Sequence, residues 1–308
     1  MGQMRRLQVL AALDDTGTFS SAARKLGMTQ SAVSQHVAAL ESALNVVLVD
    51  RRSRPVQLTH IGLRLAQHGR AINSQLTLAE QEVLQLLGRQ QARLRVGAFP
   101  SALTTFVPTA LRRFRRMRPE VEMSLVDGHM PQLLGLLDSG AIDLAVVYGP
   151  SGSTDPATGQ LELHHLCDDT YQAILPRGHR LAGRSAIRIP ELADEQWIGS
   201  RSGATWFRIV IDACRAEGFM PKVALTTDDY LGVQAMVASN LGVAVVPGLA
   251  VRPSRQLVAR PIAGHEVARR LWAARTALLP AGPVVDDLVT SLRTAASKIA
   301  DRWSSGSS

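Results

Sequence analysis

Residues 19–40, FSSAARKLGMTQSAVSQHVAAL, leave this chain few folds to choose from. Small and apolar residues recur there at helical spacing on either side of a break at Gly27-Met28, which predicts two short helices. Ser20 is placed to cap the first, with Ala22, Ala23 and Leu26 facing inward. Gly27 suits the left-handed position that closes a helix. Thr29 is placed to cap the second, whose inward face is Ala32, Val33, Val37 and Leu40. The opposite face carries Gln30, Ser31, Ser34, Gln35 and His36. Uncharged amide and hydroxyl groups on an exposed helix suit hydrogen bonding to base edges in a major groove. The pattern is a helix-turn-helix with its second helix as the reader. The competing reading is a plain αα-hairpin with a solvated Ser/Gln face. His36, toward the helix flank, is read as an ordinary flank residue.

The flanking segments favour the first reading. Residues 4–13 predict a helix that buries Met4, Leu7, Leu10 and Ala11 and completes a three-helix core. After the reader helix, 44–49 reads as a strand, 50–55 as a turn and 56–58 as a return strand. Arg51, Arg52 and Arg54 stand at the tip of that wing, where they can reach phosphates or a narrow minor groove. From 59 to 88 the pattern is one long helix. Gly62, Leu65, Gly69, Ile72, Leu76, Ala79, Val83 and Leu86 form a heptad seam over roughly three and a half repeats. A helix of a second subunit is the direct partner for such a seam, with the two glycines permitting close approach; the competing reading packs the seam on the chain's own domains.

Beyond residue 93 strands and helices alternate. LRVGAF is a strand, 100–117 a helix, 121–126 a strand, 130–139 a helix and 143–148 a strand. This βαβαβ run predicts a parallel sheet flanked by helices. A second α/β set follows from 161 to 246, and the chain returns through a strand at 268–274 to a helix at 284–303. Such a path makes two lobes joined by two crossings, with a small-molecule cleft between them. The expected divisions are 1–58 for the winged helix-turn-helix, 59–90 for the linker helix and 91–303 for the effector domain. Lobe I is 91–164 with 267–303, and lobe II is 165–266.

Composition removes other classes. The chain has 308 residues, 46% hydrophobic and 19% charged, with a net charge of +8 that favours a polyanionic partner. No apolar run approaches the ~20 residues of a membrane helix. The N-terminus lacks the apolar core of a secretion signal, so the reading is cytoplasmic with no membrane partner. Cys167 and Cys214 form no CxxC pattern and read as small buried apolar residues. No nucleophile elbow, phosphate loop or metal spacing is present, so neither an enzyme nor a cofactor is expected. The alternative class is a solute receptor or enzyme whose helical N-terminus serves only assembly.

Over nearly its whole length the chain resembles the LysR-type transcriptional regulators. The carrying residues are Phe19-Ser20-Ser21-Ala22-Ala23, Leu26, Thr29-Gln30-Ser31-Ala32-Val33-Ser34-Gln35 and Leu40-Glu41. The wing adds Leu48, Arg51, Arg54, Leu58-Thr59 and Gly62. IDLAVVYG and NLGVAVVPG carry the resemblance into the effector region. Asn45 stands where the family usually has glycine, Val49 where it has phenylalanine, and Gln35 where a basic residue is common. The resemblance implies a winged helix-turn-helix, a dimerising linker helix and a two-lobed effector domain of the periplasmic-binding-protein type. It also implies homodimers or homotetramers on promoter DNA, a small-molecule effector and contact with RNA polymerase.

Site residues follow from position. For DNA, Gln30, Ser31, Ser34 and Gln35 face the groove, Ser20 and Thr29 sit at helix starts suited to phosphate, and Arg51, Arg52 and Arg54 form the wing. For the effector, strand ends meeting helix starts in the two lobes supply Ser101, Ala102, Gly128, His129, Tyr148, Ser200, Arg201, Ser202, Thr205 and Asp228. Such a cluster of donors favours an anionic group, most simply a carboxylate, with Arg201 as its paired charge. The competing reading makes Ser101, Ser202 and Thr205 helix N-caps and nothing more.

Overall fold

A computed structural model describes residues 2–53, 55–86, 93–151, 161–200, 204–264, 267–276 and 282–305. Two compact units divide the chain. One is Met1–Arg95 with Glu120–Met123 and Leu134–Asp143; the other is Val96–Pro119, Ser124–Leu133 and Leu144–Ser308.

The first unit opens with α1 (Gly2–Thr16), α2 (Phe19–Leu26) and α3 (Gln30–Leu44), then a hairpin of β1 (Val49–Asp50) and β2 (Gln57–Leu58), then α4 (His60–Leu86). Five consecutive residues of α1, Val9 to Leu13, are buried. A surface helix buries only one stripe. Here α1 is covered by α2 and α3 on one side and by α4 on the other. The expected stripe shifts accordingly: Met4 is exposed, and the burial begins at Val9.

Three local expectations change. The cap of α2 is Thr18, whose Oγ1 accepts the Ser21 N–H at 3.1 Å, while Ser20 lies exposed in the first turn. The strand expected over 44–49 is shorter, because α3 runs on to Leu44 and ends at Asn45 in the left-handed region, φ 52°. Asparagine tolerates that conformation better than other side-chain-bearing residues, so it can stand where the family usually has glycine. The seam glycines, finally, serve contacts within the chain. A Cβ at Gly69 would lie 2.6 Å from the Leu7 carbonyl oxygen, and one at Gly62 would collide with that of Leu48. The N-terminal half of α4 is thus packed on α1 and on the wing. Farther along, Leu76 and Val83 are exposed, at 46% and 54%. The Leu86 side chain lies outside the described residues.

The rest of the chain runs β3 (Arg93–Ala98), α5 (Pro100–Leu103), α6 (Val107–Met117), β4 (Glu122–Asp127), α7 (Met130–Asp138), β5 (Leu144–Pro150) and β6 (Leu161–Pro176). Then come β7 (Ile187–Arg188), a 3₁₀ turn (Ile189–Leu192), β8 (Gln196–Gly199), α8 (Thr205–Ala216), β9 (Lys222–Thr226), α9 (Tyr230–Ala238) and β10 (Ala244–Pro247). A second 3₁₀ turn (Gly248–Ala250), β11 (Leu257–Ala263), β12 (Ala268–Thr276) and α10 (Pro283–Ser305) close it. The helix expected over 100–117 is two helices. Thr105 Oγ1 donates back to the Ser101 carbonyl at 2.6 Å, and Pro108 in the first turn of α6 brings no N–H to continue the ladder.

The large sheet has the order β4-β3-β5-β12-β6-β11-β7, with β10 also on β6. Its β3–β5 pair is parallel as expected, but β12 lies antiparallel between β5 and β6, so the sheet is mixed. The 16-residue β6 is the spine. It pairs with β12 from Leu161 to Thr170, and then with β10 and β11 from Tyr171 to Pro176. One strand therefore joins two sets of partners, and Asp169 and Arg269 face each other just before the change.

Candidate nucleic-acid and effector sites

In α3, Thr29 accepts the Ala32 N–H at 3.2 Å and so fixes the first turn. Gly27, φ 62°, closes α2, and the Met28 N–H returns to the Ala23 carbonyl at 2.9 Å. This turn sets the angle between the helices. With Val33 and Val37 buried, Gln30, Ser31 and Gln35 are exposed, and Ser34 and His36 are half-buried. The wing is braced from behind. Glu41 Oε1 accepts the N–H groups of Leu48 and Val49 at 2.8 and 3.2 Å, and its other oxygen lies 3.5 Å from Arg51. The Arg51 guanidinium also sits 5.5 Å over the Phe19 ring. Arg51 therefore joins the wing to the start of α2, where Ser20 is exposed. Arg52 is exposed, and its N–H is held by Asp50 at 2.9 Å. Arg54 lies outside the described residues.

The effector candidates fall into two groups. Ser101, Ala102 and Tyr148 are buried beside one guanidinium, that of Arg269. Arg269 is itself 0% exposed. Its Nε and Nη2 donate to Asp169 Oδ2 at 2.9 and 2.8 Å, and Nη2 donates to Ser101 Oγ at 2.8 Å. Its Cζ stands 4.8 Å from the Phe99 ring centre and 4.5 Å from that of Tyr148, two rings packed edge to face at 4.9 Å. Asp169 Oδ1 accepts the Leu249 N–H at 3.0 Å. Burial disfavours charge on Arg269, but the Asp169 carboxylate more than restores it, and the guanidinium is held above its ordinary value. Burial likewise raises the Tyr148 phenol, against the pull of Arg269.

The second group comprises the remaining candidates, drawn from both lobes. Ser200 donates to the Asp228 carboxylate. Thr205 is the first residue of α8 and half-buried. Gly128 is buried with its N–H on the Ala98 carbonyl at 3.3 Å, while His129 is exposed. Arg201 and Ser202 lie outside the described residues. Neither Ser101 nor Thr205 is an N-cap: Phe99 and Ala204 hold those positions, without side-chain hydrogen bonds. A separate cleft of about 310 Å³, lined by Pro100, Leu103, Thr104, Leu125 and Asp127, does not include the Arg269 cluster.

Arg269, Asp169, Trp206 and Tyr230 were not among the residues picked from sequence. A signal existed. In VARRLWAA, alternation places Arg269 on the same face as Val267, Leu271 and Ala273, all buried. An arginine on a buried face demands a partner. Cys167 and Cys214 are both buried, and burial pushes each thiol up to about 12. Among the described residues no helix is long and apolar enough to cross a membrane.

Comparison with known proteins matches two family profiles. "Bacterial regulatory helix-turn-helix protein, lysR family" covers residues 4–63, and "LysR substrate binding domain" covers 87–297. The chain is 31% identical over 300 residues to the small neutral protease regulatory protein of Streptomyces coelicolor, covering 95% of this chain and 93% of the other. It is 28% identical over 274 residues to the HTH-type transcriptional regulator ShiR of Corynebacterium glutamicum, covering 87% and 90%. Among solved structures, HinK of Pseudomonas aeruginosa superposes with a TM-score of 0.59 at 23% identity, covering 94% and 97%. CbnR complexed with its target DNA gives 0.59 at 20% identity, covering 95% and 99%.

Proposed function

Because this chain belongs to the LysR family of DNA-binding transcriptional regulators and carries the family's effector-binding domain, we propose that it binds promoter DNA as an oligomer and is switched by a small anionic metabolite in the cleft between its lobes. The observation that carries the first half is the face of α3, which presents Gln30, Ser31 and Gln35 outward from a core-packed helix. Those side chains, with Ser34, read bases. Ser20, Thr29 and the arginines of the wing, Arg52 foremost, hold phosphates. Exposed Leu76 and Val83, one heptad apart on α4, support pairing with the same helix of a second subunit. The effector's site is formed by Ser101, Tyr148, Thr205 and their neighbours. The domain divisions are those expected from sequence, 1–58, 59–90 and 91–303. The protein works in the cytoplasm, without a cofactor, and signals to RNA polymerase as the family does.

Retardation of the DNA upstream of the protein's own gene tests this. Affinity is expected to fall steeply with salt, log K against log salt dropping by nearly one unit for each phosphate neutralised. No retardation of any genomic fragment would return the chain to the receptor class.

A further inference from the structure

The Arg269 cluster is incomplete in one respect. Arg269 Nη1 is buried and makes no hydrogen bond of normal geometry, although the guanidinium lies near enough to the Tyr148 and Tyr230 phenols to pull on both, and Trp206 Nε1 is likewise buried without an acceptor. These residues are 0% and 3% exposed. A buried donor without an acceptor is destabilising, and two in one neighbourhood point to an acceptor that arrives from outside. They share that neighbourhood. Trp206 packs on Tyr230 at 5.2 Å, Tyr171 donates to the Trp206 carbonyl at 3.0 Å, and the charge of Arg269 acts on Tyr148, Tyr171 and Tyr230 together.

We propose that Arg269 Nη1 and Trp206 Nε1 bind the carboxylate of a small planar acid held between Tyr148 and Tyr230. The inference deepens the effector reading and rests on it. Both open groups donate and neither accepts, so the ligand group must accept twice. Asp169 already balances Arg269, and Arg208, exposed in α8, lies close enough to influence Tyr148. Arg208 thus adds a positive charge that acts on the Tyr148 ring. The start of the 12-residue α8 adds to it, because its cap, Ala204, places no side-chain acceptor there. An anion is therefore favoured over a neutral amide. Phe99 and Tyr148 stand against Arg269 and Tyr230 against Trp206, and rings favour a flat body behind the carboxylate.

The test uses the full-length protein with benzoate, benzamide and cyclohexanecarboxylate, followed by calorimetry and by the indole N–H signals of the ¹⁵N-labelled chain. Benzoate is expected to bind at least tenfold more tightly than either analogue and to move one indole signal downfield. Trp206→Phe keeps the ring packing, removes that signal and is expected to weaken benzoate at least tenfold. The proposal is overturned if benzoate does not bind, if benzamide binds as well, or if no indole signal moves. The last readout needs no variant and stands even if Trp206→Phe fails to fold. A protein that retards promoter DNA but ignores benzoate loses this proposal alone. One that binds benzoate but no DNA keeps the site and loses the regulator reading.

Discussion

Replacing Asp169 by leucine should be among the most damaging single changes in the effector domain. The substitution leaves the Arg269 guanidinium, 0% exposed, without its carboxylate. Breaking a buried pair from one side costs about 3–5 kcal/mol. It also orphans the Leu249 N–H, which Asp169 accepts at 3.0 Å, for a further ~1–3 kcal/mol. The expected loss is about 4–8 kcal/mol, comparable to the stability of a whole domain. Adding Arg269→Met removes the stranded charge but not the orphaned amide. The double variant should therefore recover about 3–5 kcal/mol and remain below the native protein by the amide's share. Urea unfolding followed by circular dichroism and tryptophan fluorescence measures all four corners of the cycle. A single variant costing under ~1 kcal/mol, or a double variant no more stable than the single, would refute the reasoning.

Other outcomes follow from individual contacts. Gly69→Ala should destabilise by up to about 2 kcal/mol, because ~1–3 kcal/mol of overpacking against the Leu7 carbonyl outweighs the ~1 kcal/mol gain in helix propensity. Gly135→Ala, also helical but with nothing within 4 Å, should stabilise by about 0.5–1 kcal/mol; urea midpoints that shift the same way for both would contradict the packing. If α4 pairs as proposed, Leu76→Asp should lower the mass seen in light scattering, and an unchanged mass would remove the partner helix. Cys167 and Cys214, each pushed up to about 12 by burial, stay neutral thiols through the physiological range. Neither should react with a disulfide reagent at pH 7–8 until the protein is unfolded in guanidinium, and fast labelling of the native protein would show a thiolate.

Much of the first unit was legible because its signals are local. Gly27 and Thr29 do what their chemistry favours, and the inward face of α3 follows helical period. The misplacements were tertiary. Ser20 and Thr18 are both residue types that cap helices, and the chain leaves the turn at Gly17 with Thr18 in the cap position. The glycines of α4 advertise close approach but not its partner, which proves to be α1 and the wing. The strand β11, Leu257–Ala263, has no counterpart among the elements expected from sequence. Its proline lies near the strand's end, beside the two-residue β7 pairing. In the effector domain, strand ends pointed to Ser101 and Tyr148, whereas Asp169 and Arg269 meet only because two strands a hundred residues apart align in register. No periodicity within either strand shows that meeting.

The claim that α3 reads sequence rests on its uncharged outward face, and one comparison measures it most directly. Fluorescence anisotropy gives the affinity of native, Gln30→Ala and Arg52→Ala proteins for the upstream duplex and for a scrambled duplex at equal salt. Gln30→Ala is expected to lose about 1–3 kcal/mol on the upstream site and almost nothing on the scrambled one, while Arg52→Ala weakens both alike. Equal losses on both duplexes for Gln30→Ala would contradict the account.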